Sequence, residues 1–247
     1  MKTFSMTDKG ITREINQDYV FTSEKPLGNL PNLFIVADGM GGHNAGDYAS
    51  RCAVEVLTKE VMKCKEEQPA AIMRYAIEQA NREILKKAEE DIWLLGMGTT
   101  VVMATLINNH LWVANVGDSR LYILNEEIKQ ITKDHSLVAE MVRRGELKQE
   151  EARLHPDKNV ITRAVGAEPE IIIDIFELEI GADDQILMCS DGLTNMIDDA
   201  QILTLIRGQR DIVEKVEKLV ERANQNGGRD NITVIVIEPF SDEVGTC

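Results

Sequence analysis

The chain has 247 residues, of which 43% are hydrophobic and 28% are charged, a composition typical of folded globular proteins and unlike that of disordered or collagen-like chains. Its 42 acidic residues outnumber its 27 basic residues, and the resulting net charge of −15 gives it no bulk electrostatic reason to bind nucleic acid or an anionic membrane. Carboxylates that converge in the fold would favour the binding of cations instead.

The segments predicted to be regular follow one another in a simple order. A strand over residues 33–37 precedes two long helices over 45–64 and 70–90, and strands over 99–107, 111–116 and 121–124 follow. A helix over 136–144 precedes strands over 171–178 and 185–189, and a helix over 212–223 precedes a final strand over 232–237. Strands this close together require hairpins, so we expect mainly antiparallel sheets with helices packed outside.

Signals for export and for cross-linking are missing from the sequence. No N-terminal stretch resembles a signal peptide and no apolar run has the length of a membrane span, so we predict a cytoplasmic protein. The four cysteines, Cys52, Cys64, Cys189 and Cys247, form no CxxC pair, which predicts free thiols.

Three aspartates stand where an apolar strand begins or ends. Asp38 and Asp191 follow strands and are each followed by glycine, whereas Asp230 precedes the last strand. In an antiparallel sheet these positions meet at one edge, where three carboxylates would repel unless they took up protons or held cations such as Mg²⁺ or Mn²⁺. Taken singly, each of these Asp sequences is also typical of an ordinary turn.

The N-terminal region supplies a group of opposite charge. Arg13 precedes Asp18 by five positions, and a guanidinium can bind a phosphate through two parallel hydrogen bonds. The alternative interpretation of this pair is an ion pair at the surface.

Together these motifs resemble the type 2C (PPM family), metal-dependent serine/threonine protein phosphatases, in particular the compact bacterial members. Eight segments match the family in order along nearly the whole chain: residues 13–18, 36–42, 98–100, 115–120, 134–136, 161–166, 189–193 and 229–231. The resemblance implies an α+β fold, a four-layer α-β-β-α sandwich of two mainly antiparallel sheets flanked by helix pairs.

The resemblance also implies a domain plan. Residues 1–240 would form a single catalytic domain, and the polar stretch 134–163 would be a flap inserted beside the active site. We hypothesise that this flap contacts the protein part of the substrate. The tail, residues 241–247, is assigned no role.

A binuclear Mg²⁺ or Mn²⁺ centre between the sheets is the cofactor that the resemblance implies. Asp38 would bridge the two ions, and Asp191 and Asp230 would complete one of them. The carbonyl of Gly39 would bind the other ion, and Asp18 would act through a metal-bound water.

Further roles follow from the same resemblance. Arg13 would hold the phosphate, and Asp118 would hold a third ion together with Asp191. A hydroxide bridging the two ions would attack phosphorus in line, without a covalent enzyme intermediate. Some relatives carry a histidine where this chain has Met40; we do not transfer its role to His43, so the acid for the leaving group is unassigned, with a metal-bound water as our suggestion.

The predicted function is therefore hydrolysis of phosphoserine and phosphothreonine in proteins, opposing a bacterial Ser/Thr kinase. The partners implied are phosphoproteins and that kinase, with no nucleic acid and no membrane, and the expected state is a monomer. One alternative is a dedicated regulatory phosphatase for a protein of the anti-sigma-antagonist type. Another is a non-catalytic scaffold that binds phosphoproteins.

Overall fold

Two antiparallel β sheets packed face to face form the centre of the protein in a computed structural model, which describes residues 1–42, 45–209 and 211–240. The strands are β1 (Lys2–Asp8), β2 (Asp18–Ser23), β3 (Leu33–Met40), β4 (Gly98–Thr99), β5 (Val101–Ile107), β6 (His110–Val116), β7 (Arg120–Leu124), β8 (Ile128–Gln130), β9 (Asp174–Glu179), β10 (Gln185–Cys189) and β11 (Ile232–Glu238). The helices are α1 (Ala45–Lys63), α2 (Pro69–Glu90), α3 (Leu137–Arg143), α4 (Gln149–Ala152), α5 (Asp191–Thr194), α6 (Asp199–Gly208) and α7 (Ile212–Gln225).

The order of the strands divides them between the two sheets. One sheet has the order β1-β11-β10-β7-β8, and the other has the order β2-β3-β5-β6-β9, with the short β4 paired to β3. Every strand pair is antiparallel. The predicted α+β class and the predicted sandwich of two antiparallel sheets are confirmed.

Both faces of each sheet are covered, which explains the continuous apolar runs in the sequence. In β3, Phe34 and Val36 face the core between the sheets, whereas Leu33, Ile35 and Ala37 face the helices on the other side. Because successive side chains of a strand point to opposite faces, a strand buried on both sides is apolar at every position.

The helices form the two outer layers. Helices α1 and α2 pack together over the sheet that contains β3, and α6 and α7 cover the sheet that contains β11. Pro69 occupies the first turn of α2, where its missing N–H is not needed. Asp211 begins α7 by accepting hydrogen bonds from the amides of Val213 and Glu214.

Several predicted boundaries need correction. The first predicted strand, 33–37, continues to Met40 because Gly39 and Met40 pair with β4. The predicted strand over 171–178 begins only at Asp174. Strands β1, β2 and β8 and helix α6 were not predicted, since β1, β2 and β8 are partly exposed strands that lack a continuous apolar run.

The polar insert, residues 134–163, is partly helical and is anchored to the body of the protein. It contains α3 and α4, and the Arg153 guanidinium donates hydrogen bonds to the carbonyls of Thr194 (2.8 Å) and Ile197 (3.1 Å). The tail, residues 241–247, lies outside the described residues. Within the described ranges, no helix combines the length and apolar character that crossing a bilayer requires.

Candidate active site

A cleft of about 230 Å³ opens where strands of both sheets end. Six of the predicted site residues line it: Arg13, Asp38, Gly39, Asp118, Asp191 and Asp230. The seventh, Asp18, is buried behind the cleft at the start of β2. The fold therefore brings together residues that lie far apart in the sequence.

Asp38 is held through its backbone. It pairs directly with Asp18 across β2 and β3, so the two aspartates are neighbours in one sheet. Its amide donates to Thr100 Oγ1 (3.0 Å), and its carbonyl accepts from the Thr100 amide (2.8 Å) and from Thr99 Oγ1 (2.9 Å). These bonds fix the backbone of Asp38, so its carboxylate can move only by rotation of the side chain.

Gly39 lies in a crowded stretch of strand, not in the tight turn that the glycine-rich sequence suggested. A Cβ atom added there would lie 2.0 Å from the carbonyl oxygen of Gly46 and 2.7 Å from that of Gln17. Only glycine fits such a close approach of backbones. The chain turns two residues later, at Gly41, whose φ of +147° belongs to the region that glycine favours.

One oxygen of the Asp18 carboxylate accepts a hydrogen bond, and the other has no hydrogen-bond partner. Its Oδ2 accepts a hydrogen bond from Ser190 Oγ (2.7 Å), and Ser190 Oγ in turn accepts from the Thr233 amide (3.0 Å). Its Oδ1 is buried and has no hydrogen-bond partner. A buried, unpaired carboxylate oxygen is costly unless a cation or a proton satisfies it.

Asp191 repeats this pattern at the first residue of α5. Asn195 Nδ2 donates to its Oδ2 (2.8 Å), whereas its Oδ1 is buried without a partner. Its carboxyl group is also close enough to that of Asp38 for each to influence the pKa of the other. The helix begins here because Ser190 adopts the extended conformation of an N-cap residue.

Arg13 and Asp230 form an ion pair at the mouth of the cleft. Arg13 donates from one terminal nitrogen to Asp230 Oδ2 at 2.8 Å, with the Arg13 side chain 49% exposed. The other oxygen of Asp230 accepts from the Asn231 amide (2.9 Å). Arg13 has five N–H donors, so this single contact leaves others for an anion in the cleft.

The aspartates shift one another's ionisation. Burial, opposed by the Ser190 hydrogen bond, raises the pKa of Asp18 to about 7. Burial and the charge of Asp230 raise the pKa of Asp191 to about 6. The pKa values of Asp38 and Asp118 lie well above the ordinary range, because of burial first and then the neighbouring carboxylates. Without a cation, this cleft favours protonated carboxyl groups.

The carboxylates line the cleft but do not form a complete set of metal ligands. Among the residues that the structure describes, no three acidic, imidazole or thiol groups are already arranged as a compact ligand set. A hydrated Mg²⁺ does not require such a set, since it keeps several waters and takes only one or two carboxylates from the protein.

Three polar residues that support the site were not assigned roles from the sequence. Ser190 and Thr100 hold Asp18 and Asp38, as described above. Asn231 accepts from the Gln17 amide (2.8 Å) and donates to the carbonyls of Lys9 and Ile15 (2.9 Å each). Each of the three lies next to an aspartate or within one of the segments that match the family. That position in the sequence could have identified them as residues that support the site.

Two further residues near the aspartates have no assigned role in the chemistry. Met40 lines the cleft. Cys189 is fully buried, and burial raises the pKa of its thiol far above the ordinary value, so it is a core residue. His43 lies outside the described residues.

The insert completes one wall of the cleft. Its residues Asn159 and Ile161 line the cleft directly. A second cavity, of about 400 Å³, lies between the insert and α5, shares Asp118 and Asp191 with the cleft, and is also lined by Arg153. The insert thus forms part of the walls of both the cleft and the second cavity.

Comparisons with known proteins agree with this architecture. The family model "Protein phosphatase 2C" matches residues 11–235. The chain is 42% identical over 239 residues to the serine/threonine phosphatase Stp of Listeria monocytogenes, covering 94% of this chain and 93% of that protein.

Solved structures give the same result. The Staphylococcus aureus serine/threonine phosphatase Stp1 superposes with a TM-score of 0.89 at 33% identity, covering 95% of this chain and 93% of that one. The catalytic domain of the serine/threonine protein phosphatase PstP, solved with two manganese ions, superposes with a TM-score of 0.84 at 33% identity, covering 95% and 96%.

Proposed function

Because the chain belongs to the protein phosphatase 2C family and is a metal-dependent serine/threonine protein phosphatase, we propose that it hydrolyses phosphoserine and phosphothreonine with two divalent ions held by the aspartates of the cleft. The proposed substrates are phosphoproteins made by a bacterial Ser/Thr kinase. We also propose that residues 1–240 act as one catalytic domain, as a monomer in the cytoplasm, with residues 134–163 as its flap.

The observation that carries this proposal is the pair of buried carboxylate oxygens without partners. Asp18 Oδ1 and Asp191 Oδ1 both lack a hydrogen bond, at a cleft where the pKa values of the aspartates are raised. Divalent cations would satisfy such oxygens and neutralise the repulsion between the carboxylates. The hard oxygen donors present therefore fit Mg²⁺ or Mn²⁺.

The assignment of ligands is the one that the resemblance to the family implies. Asp38 would bridge the two ions, with Asp191 and Asp230 on one side and the Gly39 carbonyl on the other. Asp18 would act through water, and Asp118 with Asp191 would hold a third ion. When bound, two such ions lower the pKa of a shared water and neutralise charge on the phosphate.

The protein's own groups would orient the substrate. Arg13 stands half-exposed at the mouth of the cleft, where its remaining N–H groups can bind two phosphate oxygens. Its ion pair with Asp230 keeps the guanidinium turned toward the cleft. The buried, neutral thiol of Cys189 cannot accept the phosphoryl group, which favours direct transfer to water.

The test is release of p-nitrophenol from p-nitrophenyl phosphate, and of phosphate from a phosphothreonine peptide. Both activities should require Mn²⁺ or Mg²⁺ and disappear in EDTA. Asp38→Asn and Asp191→Asn should each lower kcat by at least about 100-fold. Asp183→Asn, at an exposed turn before β10, is the matched control and should retain activity. Activity that survives EDTA would falsify the metal mechanism.

A further inference from the structure

His135 is a buried residue that the proposed chemistry does not use. It stands between β8 and α3 at the start of the insert and is only 2% exposed. Its ring and its backbone contact the turn that carries Asp118, Asp174 at the start of β9, and the far end of the insert at Thr162 and Arg163. These contacts connect the turn before Asp118 to both ends of the insert.

The first of these contacts is a reciprocal pair of hydrogen bonds with one residue. The Gly117 amide donates to His135 Nδ1 (3.0 Å), and the His135 amide donates to the Gly117 carbonyl (3.0 Å). Gly117 has a φ of +107°, and a Cβ atom there would lie 2.6 Å from side-chain carbons of Thr100. The backbone just before Asp118 is thus held on two sides.

The outer nitrogen of the ring is also engaged. His135 Nε2 lies 3.1 Å from Arg163 Nη1 and 3.3 Å from Asp174 Oδ2, and Arg163 Nη1 also donates to Asp174 Oδ1 (3.1 Å). Because Nδ1 accepts from the Gly117 amide, a neutral ring carries its proton on Nε2, and Asp174 is then the acceptor for that proton, whereas Arg163 can only donate. The Gly117 amide therefore selects the tautomer, and Asp174 together with Gly117 orients the ring.

Arg120, two residues after Asp118 and the first residue of β7, is anchored by the neighbour of His135. Asp134 accepts from Arg120 through both oxygens, at distances of 2.6 to 3.0 Å. Asp118 therefore lies between two anchors, Gly117 and Arg120, and both are held by the dipeptide Asp134-His135 that begins the insert. Asp118 itself is 8% exposed and lines the cleft.

The same dipeptide holds the end of the insert. The Thr162 amide donates to the His135 carbonyl (2.8 Å), and Ser136 forms a β-bridge with Ile161, which lines the cleft. We propose that His135 is a positioning residue that fixes the carboxylate of Asp118 in the cleft and links its position to that of the insert. This inference rests on the proposed function, in which Asp118 serves the metal centre.

Two substitutions of His135 distinguish the effect of losing the hydrogen bond from Gly117 from the effect of losing the volume of the ring. In His135→Asn, the side-chain Oδ1 is separated from the backbone by the same number of bonds as Nδ1 of histidine. It can therefore accept the hydrogen bond from the Gly117 amide. His135→Leu keeps bulk but has no acceptor. With p-nitrophenyl phosphate and Mn²⁺, we expect His135→Leu to lower kcat by about tenfold or more and His135→Asn by less than about threefold.

A double-mutant cycle with Asp118→Asn tests whether His135 acts through Asp118. In the Asp118→Asn background, His135→Leu should cost less than about twofold in kcat, because the group that it positions is already disabled. The change in the unfolding midpoint caused by His135→Leu should be similar in both backgrounds. Additive losses of activity, or full activity of Asp118→Asn, would overturn the inference, as would equal losses for His135→Asn and His135→Leu.

Measurements that need no turnover complete the test. Two-bond ¹H–¹⁵N spectra of the metal-free wild-type protein should show His135 protonated at Nε2 alone, and a proton on Nδ1 would overturn the inference. The rise of the unfolding midpoint with Mn²⁺ should require a higher Mn²⁺ concentration in His135→Leu than in the wild type. If the wild type itself released no p-nitrophenol, the proposed function would fail instead, whatever the His135 variants did.

Discussion

Ser190 at the end of β10 donates a hydrogen bond of 2.7 Å to Asp18 at the start of β2, although 172 positions separate the two residues. The bond joins the two sheets at the cleft, because β10 and β2 belong to different sheets. It satisfies one oxygen of the buried Asp18 carboxylate and leaves the other, Oδ1, without a partner. The contact therefore orients the free oxygen as well as joining the sheets.

Ser190→Ala should weaken both the fold and the site. The substitution removes the donor to Asp18 and the acceptor of the Thr233 amide, and leaving buried groups unpaired costs about 1–3 kcal/mol. It should also raise the pKa of Asp18 above about 7, since the lost hydrogen bond favours the charged form. Thermal unfolding and an NMR titration of the metal-free protein measure these two effects; an unchanged Asp18 titration would contradict the second. Ser23→Ala, at the half-buried last residue of β2, removes two local hydrogen bonds with Lys25 and none with an aspartate, and is the control for the Asp18 titration.

The stability of the metal-free protein should fall as the pH rises from about 4 to about 7. The folded-state pKa values of Asp191 and Asp18, about 6 and about 7, exceed those of an unfolded chain, so protonation stabilises the fold. This contribution is complete below about pH 4, where aspartates of an unfolded chain titrate, and is lost as the pH rises through the two folded-state values.

In EDTA, the unfolding midpoint should therefore decrease between about pH 4 and about pH 7. The decrease should be smaller in Asp18→Asn, which carries no titratable group at that position, and smaller again with saturating Mn²⁺, since bound cations hold the carboxylates ionised. A midpoint that does not change with pH in EDTA would show that the aspartates are not destabilised by their burial.

Arg13→Ala should impair substrate binding without destabilising the fold. The side chain is half-exposed and forms an ion pair with Asp230 at the surface of the cleft, so its loss removes little packing. We expect KM for p-nitrophenyl phosphate to rise by about tenfold and an unchanged unfolding midpoint. Arg13→Lys should recover only part of the loss, because an ammonium cannot form the bidentate contact. Arg82→Ala, on the exposed side of α2, should have no effect on KM.

Shortening the insert should affect large substrates more than small ones. Removal of residues 146–155 takes away α4 and the anchor that Arg153 makes to the carbonyls of Thr194 and Ile197, while leaving Asn159 and Ile161 in the chain. We expect the loss of kcat/KM on a phosphothreonine protein to exceed that on p-nitrophenyl phosphate by about tenfold. Equal losses on the two substrates would refute a role of this segment in binding protein. Arg153→Ala offers a milder version that keeps the chain length.

Much of the architecture could be predicted from local patterns. The hairpin of β5 and β6, with its two-residue turn at Asn108 and Asn109, and the long helices α1 and α2 lie where apolar spacing placed them. Short, partly exposed strands such as β1 and β8 escaped prediction, because their pairing partners supply the order that their own residues do not specify. The extension of β3 to Met40 has the same cause, since β4 pairs with it from 60 residues away.

The sequence by itself determined which groups are available: aspartates beside strand ends, an arginine suited to phosphate, and matched segments that identify the family. Only the tertiary structure decided which oxygens of those aspartates have partners, how Ser190, Thr100 and Asn231 hold them, and that His135 links the Asp118 turn to the insert. The physical reason is that strand and helix patterns arise from neighbours along the chain. Hydrogen bonds and charge repulsion in a cleft depend instead on groups that meet only when both sheets have packed.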